Sequence, residues 1–556
     1  MLDYSEPKLL NAPYIDEIRL ASGEALEFKP GEVVLLVGPN NAGKSYFLKA
    51  LEFQLAGKAD VLDQNHYADS IVEKIKINWK YQGEDGVAQL IKQLKKYRSG
   101  SDRYFRVPVR GRPTQSQSFL TEGDVYSAFE SESKLSELTN VFVSFDDVKD
   151  RLDETEPQEQ NSAYWGKTLV QQAWDEPPVF NRIASAFRRI FNEDLSFYNL
   201  GEGKIGLLLA PPFNKASSLM EPIDTKTRAY METRPKLWEQ GYGMRSVVGL
   251  LLRIHASDSS IALLDEPEAF LHPPQASALG SILSELTKFH NRQIFIATHD
   301  RNLIASLIRS TETPLTILSL RRDRGNRLPV IKKLNSEIIR SAQQASQVRF
   351  TPFLDSLFAD LTILVENERD AVFYDEALRA FAEANTDSDV RNLPDRVLFL
   401  GAGGASGIPP LAKSLREVGA KVAIITDFDV HAQRAVYSMV SALHSAEAIT
   451  NVRPTIEKVR VASVKLFGSK NAAKNCGAVS PDKEFNELAQ EMLNALDGFG
   501  VHLVREGELE DLFPSIEGQK SKPEKLKEAL QSEAYRRPAA QQLMSRLVSH
   551  VFNQEI

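Results

Sequence analysis

The octapeptide GPNNAGKS occupies residues 38–45 and fits the pattern G-x-x-x-x-G-K-[ST] in full. The apolar run EVVLLV precedes it and the helix-like segment YFLKALEFQLAG follows it, which is the order of a phosphate-binding loop in a parallel α/β sheet. The glycines let backbone N–H groups turn toward phosphate oxygens, the lysine reaches the β- and γ-phosphates, and the serine hydroxyl binds Mg²⁺. A chance glycine-rich turn does not explain both flanks. The predicted nucleotide-binding residues of the loop are Gly38, Asn40, Asn41, Gly43, Lys44 and Ser45.

Two further buried strands are predicted downstream, SIALLDE at 260–266 and RQIFIATH at 292–299. The first ends in Asp265, suited to a Mg²⁺ contact, and Glu266, suited to act as the general base that orients an attacking water. The alternative is an acidic pair that caps the next helix, which is disfavoured beside a phosphate-binding loop. His299 ends the second strand, where we expect it to sense the γ-phosphate rather than serve only in packing.

These residues resemble the ABC-type ATPases, in particular the SMC-like branch, in which a phosphate-binding loop, an Asp–Glu pair and a switch histidine occur in this order. The segment QGYGMRS at 240–246 stands where that family has its signature loop, although it departs from the usual Leu-Ser-Gly-Gly. The resemblance implies ATP binding and assigns Gly241, Gly243 and Ser246 to the nucleotide of a facing subunit. It therefore implies a homodimer through the ATPase heads, with higher homo-oligomers also open.

Strand–helix alternation begins afresh after Pro352, which predicts a second α/β domain. Glu366 follows the strand LTILVE and Asp370 lies in the turn to the next helix, while Asp427 and Asp429 end the strand KVAIITDFD. Carboxylates at the carboxyl ends of neighbouring parallel strands converge on one crevice. Four of them repel each other unless hard cations lie between them, so we predict a site for Mg²⁺ or Mn²⁺ that supports phosphodiester chemistry.

This second arrangement resembles a Toprim domain, the fold shared by topoisomerases, primases and certain nucleases. The family usually has glycine where this chain has Asn367, and we expect asparagine to adopt the positive φ of that turn. The resemblance implies a further acidic element in REGELEDLF, with Glu508 and Glu510 as metal ligands, and a phosphate-stabilising lysine, Lys522. The alternatives are an acidic helix start and a lysine on a solvated helix face.

The composition gives weaker constraints. The chain has 556 residues, and 67 basic against 75 acidic residues give a formal net charge of −8, which disfavours a nucleic-acid coat but not local basic patches. The single cysteine, Cys476, excludes an intramolecular disulfide and a cysteine-rich zinc site. Because no apolar run is long enough to span a bilayer and no secretory signal is evident, we expect a cytoplasmic protein without a membrane partner.

Three runs of like charge stand out, and such runs are usually solvated faces. The runs at 92–112 and 321–333 are basic, and the run at 146–159 is acidic. Aromatic residues are interleaved with the first of them: Tyr97, Tyr104 and Phe105. We therefore hypothesise that the segment 92–112 contacts the phosphates of a nucleic acid.

An ABC-type ATPase followed by a Toprim domain resembles the OLD family (overcoming lysogenization defect), including Gabija-type and retron-associated nucleases. The expected domains are 1–350, an ATPase with inserted segments at about 60–240 that serve dimerisation or nucleic-acid contacts, and 351–556, a Toprim nuclease. The resemblance implies ATP-controlled, metal-dependent cleavage of DNA in bacterial defence against phage, with a partner defence protein or retron in some members. Cleavage of tRNA or other RNA, as in PARIS-like fusions, and an ATP-gated scaffold with an inert Toprim domain remain alternatives.

Overall fold

The computed structural model describes most of the chain in two compact units, 1–336 and 337–556. The described residues are 11–39, 41–58, 71–98, 102–108, 117–159, 167–201, 204–211, 225–257, 259–290, 292–310, 314–321, 328–334, 354–356, 358–417, 419–431, 435–444, 446–467, 477–478, 480, 482–513 and 521–553. The division at 336 and the predicted boundary near 350 both fall in the segment 335–353, outside these ranges. None of the described helices is both long and apolar enough to cross a membrane.

The first unit is organised by a six-stranded sheet of order β14-β13-β3-β12-β11-β7, in which β14 alone runs antiparallel. Its strands are β3 (Val33–Val37), β7 (Val143–Asp146), β11 (Ile261–Asp265), β12 (Gln293–Ala297), β13 (Leu315–Arg321) and β14 (Val330–Leu334). The residues of β3 and β12 are buried throughout, which explains their uninterrupted apolar sequence. The three strands expected from the sequence therefore lie side by side in this sheet.

Three smaller sheets complete the strands of the first unit. β1 (Pro13–Leu20), β2 (Ala25–Glu27) and β4 (Val72–Trp79) form an antiparallel sheet, β5 (Tyr104–Pro108) and β6 (Gln117–Thr121) a hairpin, and β8 (Gln158–Glu159), β9 (Leu195–Gly201) and β10 (Lys204–Leu209) a third sheet. The range 60–240, predicted to hold inserted segments, also contains strands of the sheets described above. It contains β7, a strand of the main sheet, and β4, which pairs with β1.

The helices of the first unit cover the sheets. They are α1 (Lys44–Leu55), α2 (Gly83–Leu94), α3 (Glu122–Glu130), α4 (Thr139–Phe142), α5 (Val148–Asp153), α6 (Leu169–Asp175), α7 (Pro177–Phe191), α8 (Thr225–Glu232), α9 (Tyr242–Ala256), α10 (Pro273–His290) and α11 (Arg301–Arg309). One continuous core joins the main sheet, the β1 sheet and α1, with Phe47, Leu51 and Phe295 fully buried in it. Each such buried side chain stabilises the folded state by about 1.5–3 kcal/mol.

The second unit contains a four-stranded parallel sheet of order β16-β15-β17-β18. Its strands are β15 (Leu361–Val365), β16 (Val397–Gly401), β17 (Val422–Thr426) and β18 (Val501–Leu503). Its helices are α12 (Glu368–Glu383), α13 (Ser388–Arg391), α14 (Ile408–Glu417), α15 (Ala435–Leu443), α16 (Ala446–Phe467), α17 (Lys483–Gly498), α18 (Lys522–Gln531) and α19 (Pro538–Asn553). The central position of β15 and β17 brings the residues that follow them to one edge of the sheet.

Candidate functional sites

The first site begins where β3 turns into α1. Gly38 has φ +152°, and a Cβ at this position would lie 2.1 Å from the carbonyl oxygen of Leu320, so only glycine fits there. Asn41 and Gly43 also have positive φ, 64° and 93°, and close the turn before α1 begins at Lys44. Asn40, the remaining predicted residue of the loop, lies outside the described residues.

Lys44 is folded back over the mouth of the loop. Its ammonium donates to the carbonyl oxygens of Gly38 and Pro39, both at 2.9 Å, and the residue is 7% exposed. Burial lowers the pKa of Lys44, while the nearby carboxylates of Glu266, Asp265 and Glu268 act to raise it. The ammonium is therefore placed at the loop and surrounded by acids, where a polyphosphate offers it further partners.

Ser45 and Asp265, both predicted Mg²⁺ ligands, are in direct contact. The serine hydroxyl donates to the Asp265 carboxylate at 2.8 Å, although 220 residues separate them in the chain. Burial is the main cause that raises the pKa of Asp265, and the serine bond opposes it. The two oxygens are thus within the span of one hard cation.

Glu266 and His299 are also brought together, across β11 and β12. Glu266 has φ 45°, an uncommon value for a non-glycine residue, and its N–H donates to the Ala297 carbonyl at 2.9 Å. His299 Nδ1 lies 3.3 Å from Glu266 Oε1 and 3.9 Å from Glu268 Oε1. The predicted base and the predicted γ-phosphate sensor thus share one contact, and such backbone strain is found where a functional group must be aimed.

Sequence reasoning missed Glu268. This side chain is 6% exposed, accepts a 2.6 Å hydrogen bond from the Thr298 hydroxyl, and has its pKa raised chiefly by burial. It fixes the strand end that carries His299, whose N–H lies 3.4 Å from the same carboxylate oxygen. The third acid of the segment DEPE was the available signal.

Sequence reasoning also missed Arg151, whose side chain is fully buried. Its guanidinium donates to the carbonyl oxygens of Asp265 at 2.8 Å and Glu266 at 3.1 Å, and it pairs with the fully buried Asp146 at 3.7 Å. Burial raises the pKa of Asp146 to about 6, although Arg151 and Arg253 act to lower it. A buried guanidinium therefore holds the backbone of the Asp265–Glu266 pair from behind.

The acidic run 146–159 is consequently a solvated face only in part: Asp146 is fully buried, whereas Asp153, Glu156 and Glu159 are exposed. Arg253, on α9, reaches Asp146 at 3.5 Å, Asp150 at 3.5 Å and Glu154 at 3.0 Å. Arg245, at the start of α9, donates to the Leu152 carbonyl at 3.1 Å and pairs with Glu156. Two arginines of α9 therefore form ion pairs with acids of this run.

The predicted signature residues lie at the start of α9. Gly241 caps the helix, and a Cβ on Gly243 would lie 2.8 Å from the Phe270 carbonyl oxygen, so glycine permits a close approach there. Ser246 is fully buried, so its hydroxyl does not offer the predicted contact with a facing nucleotide. Tyr242 and Phe270 are exposed instead, with ring centroids 5.5 Å apart.

The second site is a cavity of about 580 Å³ at the carboxyl edge of the second sheet. Glu366, after β15, accepts a 2.8 Å hydrogen bond from the Thr426 hydroxyl, and Asp427, after β17, accepts one of 3.1 Å from the Leu509 N–H. The cavity is lined by Glu366, Asn367, Glu368, Arg369, Asp370, Leu400, Gly401, Gly403, Leu411, Asp427, Leu509, Glu510, Phe513, Lys522, Pro523 and Leu526. The predicted Glu366 and Asp427 therefore face one space.

Glycines of β16 and its turn hold the Glu366 backbone. The Gly404 N–H donates to the Glu366 carbonyl at 2.7 Å. A Cβ on Gly401 would lie 2.3 Å from the Glu368 nitrogen, so a larger residue would push the start of α12 away.

The expectation for Asn367 was wrong. Its φ is −130°, and it caps α12 rather than occupying a left-handed turn. Its side chain and that of Asp370 form a reciprocal capping box, in which the Asn367 N–H donates to Asp370 Oδ2 at 3.0 Å. Asparagine is favoured here because it caps the helix, and one oxygen of Asp370 is already used by that cap.

Burial and neighbouring carboxylates act together on Asp427. Its pKa is raised to about 8, first by burial and then by the charges of Glu366 and Glu508, against the opposing effect of Lys522. Below this pKa the carboxyl is protonated in the metal-free protein. A cation beside it would replace that proton.

Asp429 does not join Glu366 and Asp427 at the cavity, contrary to expectation. The strand ends at Thr426, and residues Phe428–His431 form a short 3₁₀ helix, so the two-residue alternation of a strand does not apply. Asp429 is 8% exposed and is absent from the cavity lining. Its charge nevertheless helps to raise the pKa of Asp427, and its role as a metal ligand stays a prediction.

Glu508, Glu510 and Lys522 lie together, as the resemblance implied. The Lys522 ammonium is 2.8 Å from Glu508 Oε2 and 3.4 Å from Glu510. These contacts raise the pKa of Lys522 despite the opposing effect of burial. Lys522 and Glu510 both line the cavity. Glu508 is not among the lining residues, but it contacts Lys522.

Within the described ranges, no group of three carboxylate, imidazole or thiol side chains is arranged to hold one metal ion as it stands. The donor set nevertheless fits a hard cation. It consists of carboxylate oxygens, and burial and the neighbouring carboxylates raise the pKa of Asp427.

The basic run 92–112 is less open than the sequence suggested. Tyr97 and Phe105 are buried, and Arg98 stacks on the Phe105 ring while pairing with Glu122 at 2.8 Å. Arg106 pairs with Asp102 at 3.0 Å. Residues 109–116, with two arginines of the run, and 322–327, the centre of the other basic run, lie outside the described residues.

Two family models match the chain. Residues 147–306 match the family described as "AAA domain, putative AbiEii toxin, Type IV TA system", and residues 357–429 match the family described as "Overcoming lysogenization defect protein-like, TOPRIM domain". The chain matches an OLD-family ATPase–Toprim fusion. The first match contains the Asp265–Glu266 pair, and the second contains Glu366 and Asp427. The combination of the two domains indicates an ATP-dependent nuclease.

Similar solved structures include an SMC head domain from Thermotoga maritima, 14% identical over 58% of this chain and 98% of that chain, with a TM-score of 0.31. An Smc head domain bound to a ScpA domain from Pyrococcus furiosus is 13% identical over 60% and 99%, with a TM-score of 0.33. The cbiO1 protein of Clostridium perfringens is 13% identical over 61% and 96%, with a TM-score of 0.27. No curated protein gave a significant match. The fold assignment rests on the two family models and on the sheet orders.

Proposed function

We propose that this chain is a metal-dependent nuclease that cleaves DNA in bacterial defence against phage, and that the ATPase domain controls the cleavage. The observation that carries the proposal is the convergence of Glu366 and Asp427 on one cavity, with the pKa of Asp427 raised to about 8 by burial and neighbouring carboxylates. An acidic cavity repels phosphates unless cations bind in it, which is the situation of metal-dependent phosphodiester cleavage.

Glu366 and Asp427 are the proposed principal ligands, with Asp370, Glu508 and Glu510 as further oxygen donors. Bound Mg²⁺ or Mn²⁺ supplies water activation and neutralisation of the leaving oxygen. The chain's own contribution is to hold the carboxylates. Thr426 and the Leu509 N–H orient Glu366 and Asp427, and Lys522 places a positive charge at the cavity for the phosphate that is cut.

In the ATPase domain, the proposed roles follow the contacts. Lys44 binds the β- and γ-phosphates, Ser45 and Asp265 hold Mg²⁺, and Glu266 orients the attacking water. His299, 3.3 Å from Glu266, reports the state of the γ-phosphate. We further propose that a second copy presents the start of its α9, including Gly241 and Gly243, to this nucleotide, so that ATP binding favours a head dimer and changes access to the nuclease cavity.

The proposal is tested by incubating the full-length protein with supercoiled plasmid and, separately, with total tRNA, in Mg²⁺ or Mn²⁺ and with or without ATP. We expect plasmid cleavage that requires the divalent ion and that changes when ATP is present. Cleavage of tRNA with intact plasmid would move the target to RNA. Absence of cleavage of both, in a protein whose cellular activity survives Asp427→Ala, would support the scaffold alternative instead.

A further inference from the structure

Lys522 bridges two acids that the surrounding structure holds in place. The side chains of Glu508 and Glu510 are 15% and 19% exposed, whereas that of Lys522 is 63% exposed. Glu508 also caps the 3₁₀ helix Leu509–Leu512 in a capping box with Asp511, its N–H donating to Asp511 Oδ2 at 2.8 Å. Of these three side chains, that of Lys522 is the most exposed to solvent.

The same segment is tied to the centre of the cavity. The N–H of Leu509, which lies between the two glutamates, donates to Asp427 Oδ1 at 3.1 Å. Glu508 is one of the charges that raise the pKa of Asp427, and Lys522 is the group that opposes them. The ammonium thus supplies a positive charge in direct contact with Glu508 and Glu510 and acts against the rise in the pKa of Asp427.

We propose that Lys522 is an internal counter-ion that a divalent cation displaces from Glu508 and Glu510. An ammonium on four methylene groups has three donors and wide reach, so it stands in for a metal between two carboxylates without their ligation geometry. Displacement leaves the ammonium at the cavity wall without its two partners, and a phosphate of the substrate becomes its natural anion. The order is therefore metal first, lysine release second, phosphate third. This inference rests on the proposed nuclease function.

Two consequences follow from this competition. Removal of the lysine charge tightens metal binding, because the ion no longer has to break the contacts with Glu508 and Glu510. Binding of metal also exposes the Lys522 amine. A lysine that serves only to contact the substrate has neither property, since its loss lowers cleavage and leaves metal binding unchanged.

The first test is a Mn²⁺ titration of full-length protein, without nucleotide or nucleic acid, followed by electron paramagnetic resonance. The variants are Lys522→Met and, as the matched control, Lys527→Met, which removes an exposed lysine from the same helix. We expect Lys522→Met to tighten Mn²⁺ binding about fivefold, the effect of losing a partly exposed ion pair, and Lys527→Met to leave it unchanged. Equal or weaker binding by Lys522→Met would overturn the proposal.

The second test uses the unmodified protein. Lysines are labelled with an amine-reactive acetylating reagent at increasing Mg²⁺, and the modification of Lys522 and Lys527 is measured by mass spectrometry. Release predicts that Mg²⁺ raises the labelling of Lys522 severalfold and not that of Lys527. A constant or reduced labelling of Lys522 contradicts it. Neither test needs cleavage, so the loss of the nuclease proposal and the loss of this one are distinguishable.

Discussion

The two acidic sites of this chain are held in opposite ways. At the ATPase site the backbone of Asp265 and Glu266 is fixed by the buried Arg151, and their side chains already have partners in Ser45 and His299. At the Toprim cavity several carboxylates face one space, and the cation that pairs with Glu508 and Glu510 is the exposed side chain of Lys522. The first site is preorganised by protein groups, whereas the second is built for cations that are to be added.

The largest expected effect tests the preorganised site. Glu266→Gln keeps the shape of the side chain but removes the base, so the turnover of ATP should fall about a thousandfold while the affinity for a fluorescent ATP analogue is retained. The measurement is phosphate release at saturating ATP. The control Glu73→Gln changes an exposed acid on β4 and should leave turnover unchanged. Unchanged turnover of ATP in Glu266→Gln would contradict the assignment of Glu266 as the general base.

The buried arginine distinguishes the two sites in stability. Arg151→Met removes one of the guanidinium groups that pair with the buried Asp146 and the donor that holds the Asp265 and Glu266 carbonyl groups, so the free energy of unfolding of the first unit should fall by about 3 kcal/mol. Urea unfolding followed by tryptophan fluorescence measures this. Lys522→Met, which removes an exposed cation from the other site, should change the free energy of unfolding of the second unit by less than about 1 kcal/mol; this is followed by circular dichroism, because all four tryptophans lie in the first unit. Similar losses in the two variants would contradict the contrast.

Asp427→Asn tests the site that awaits cations. It should lower plasmid cleavage at least about a hundredfold and leave the turnover of ATP unchanged, because a metal ligand is lost without disturbing the first unit. Asp395→Asn, at an aspartate whose side chain is 82% exposed, is the control and should cleave normally. Asp429→Asn should have a smaller effect than Asp427→Asn, since Asp429 does not line the cavity.

The pH dependence of metal binding sharpens the contrast further. The raised pKa of Asp427, about 8, means that the carboxyl is protonated in the metal-free protein below that pH, and a proton must leave before the oxygen binds a cation. The affinity for Mn²⁺ should therefore rise as pH increases toward 8, by up to about tenfold per pH unit, and level off above it. In Asp427→Asn this dependence should be weaker. A flat profile in the unmodified protein would contradict the role of Asp427.

Much of this was predictable because motifs on parallel strands carry their own placement. The strand ends bearing Gly38, Asp265 and His299 meet because buried apolar strands assemble into one sheet, and Glu366 and Asp427 meet for the same reason. The position of Asp429 away from the cavity lining was not predictable, because strand periodicity does not continue past Thr426. Arg151 was missed because its partners, two carbonyl groups and Asp146, are distant from it in the chain or leave no pattern in the sequence.

Charge runs were the least predictable feature, since their role depends on what packs against them. The acidic run 146–159 looked solvated throughout, but Arg253 of α9 pairs with Asp146 and Glu154, and only part of the run is exposed. The basic run was predicted to contact phosphates with its aromatic residues interleaved, but two of those residues, Tyr97 and Phe105, lie in the core of the first unit. Counting charges along the sequence predicts neither the ion pairs of the acidic run nor the burial of these aromatic residues.

The most direct measurement of the central claim is the rate of plasmid cleavage in Mn²⁺ by the unmodified protein, Asp427→Asn and Glu266→Gln, each with and without ATP. The account predicts that ATP changes the rate of cleavage by the unmodified protein and that Asp427→Asn does not cleave in either condition. Once ATP is added, Glu266→Gln should keep cleaving at the rate that the unmodified protein shows when ATP is bound. Equal cleavage by the unmodified protein and Asp427→Asn, or a rate in the unmodified protein that ignores ATP, would contradict it.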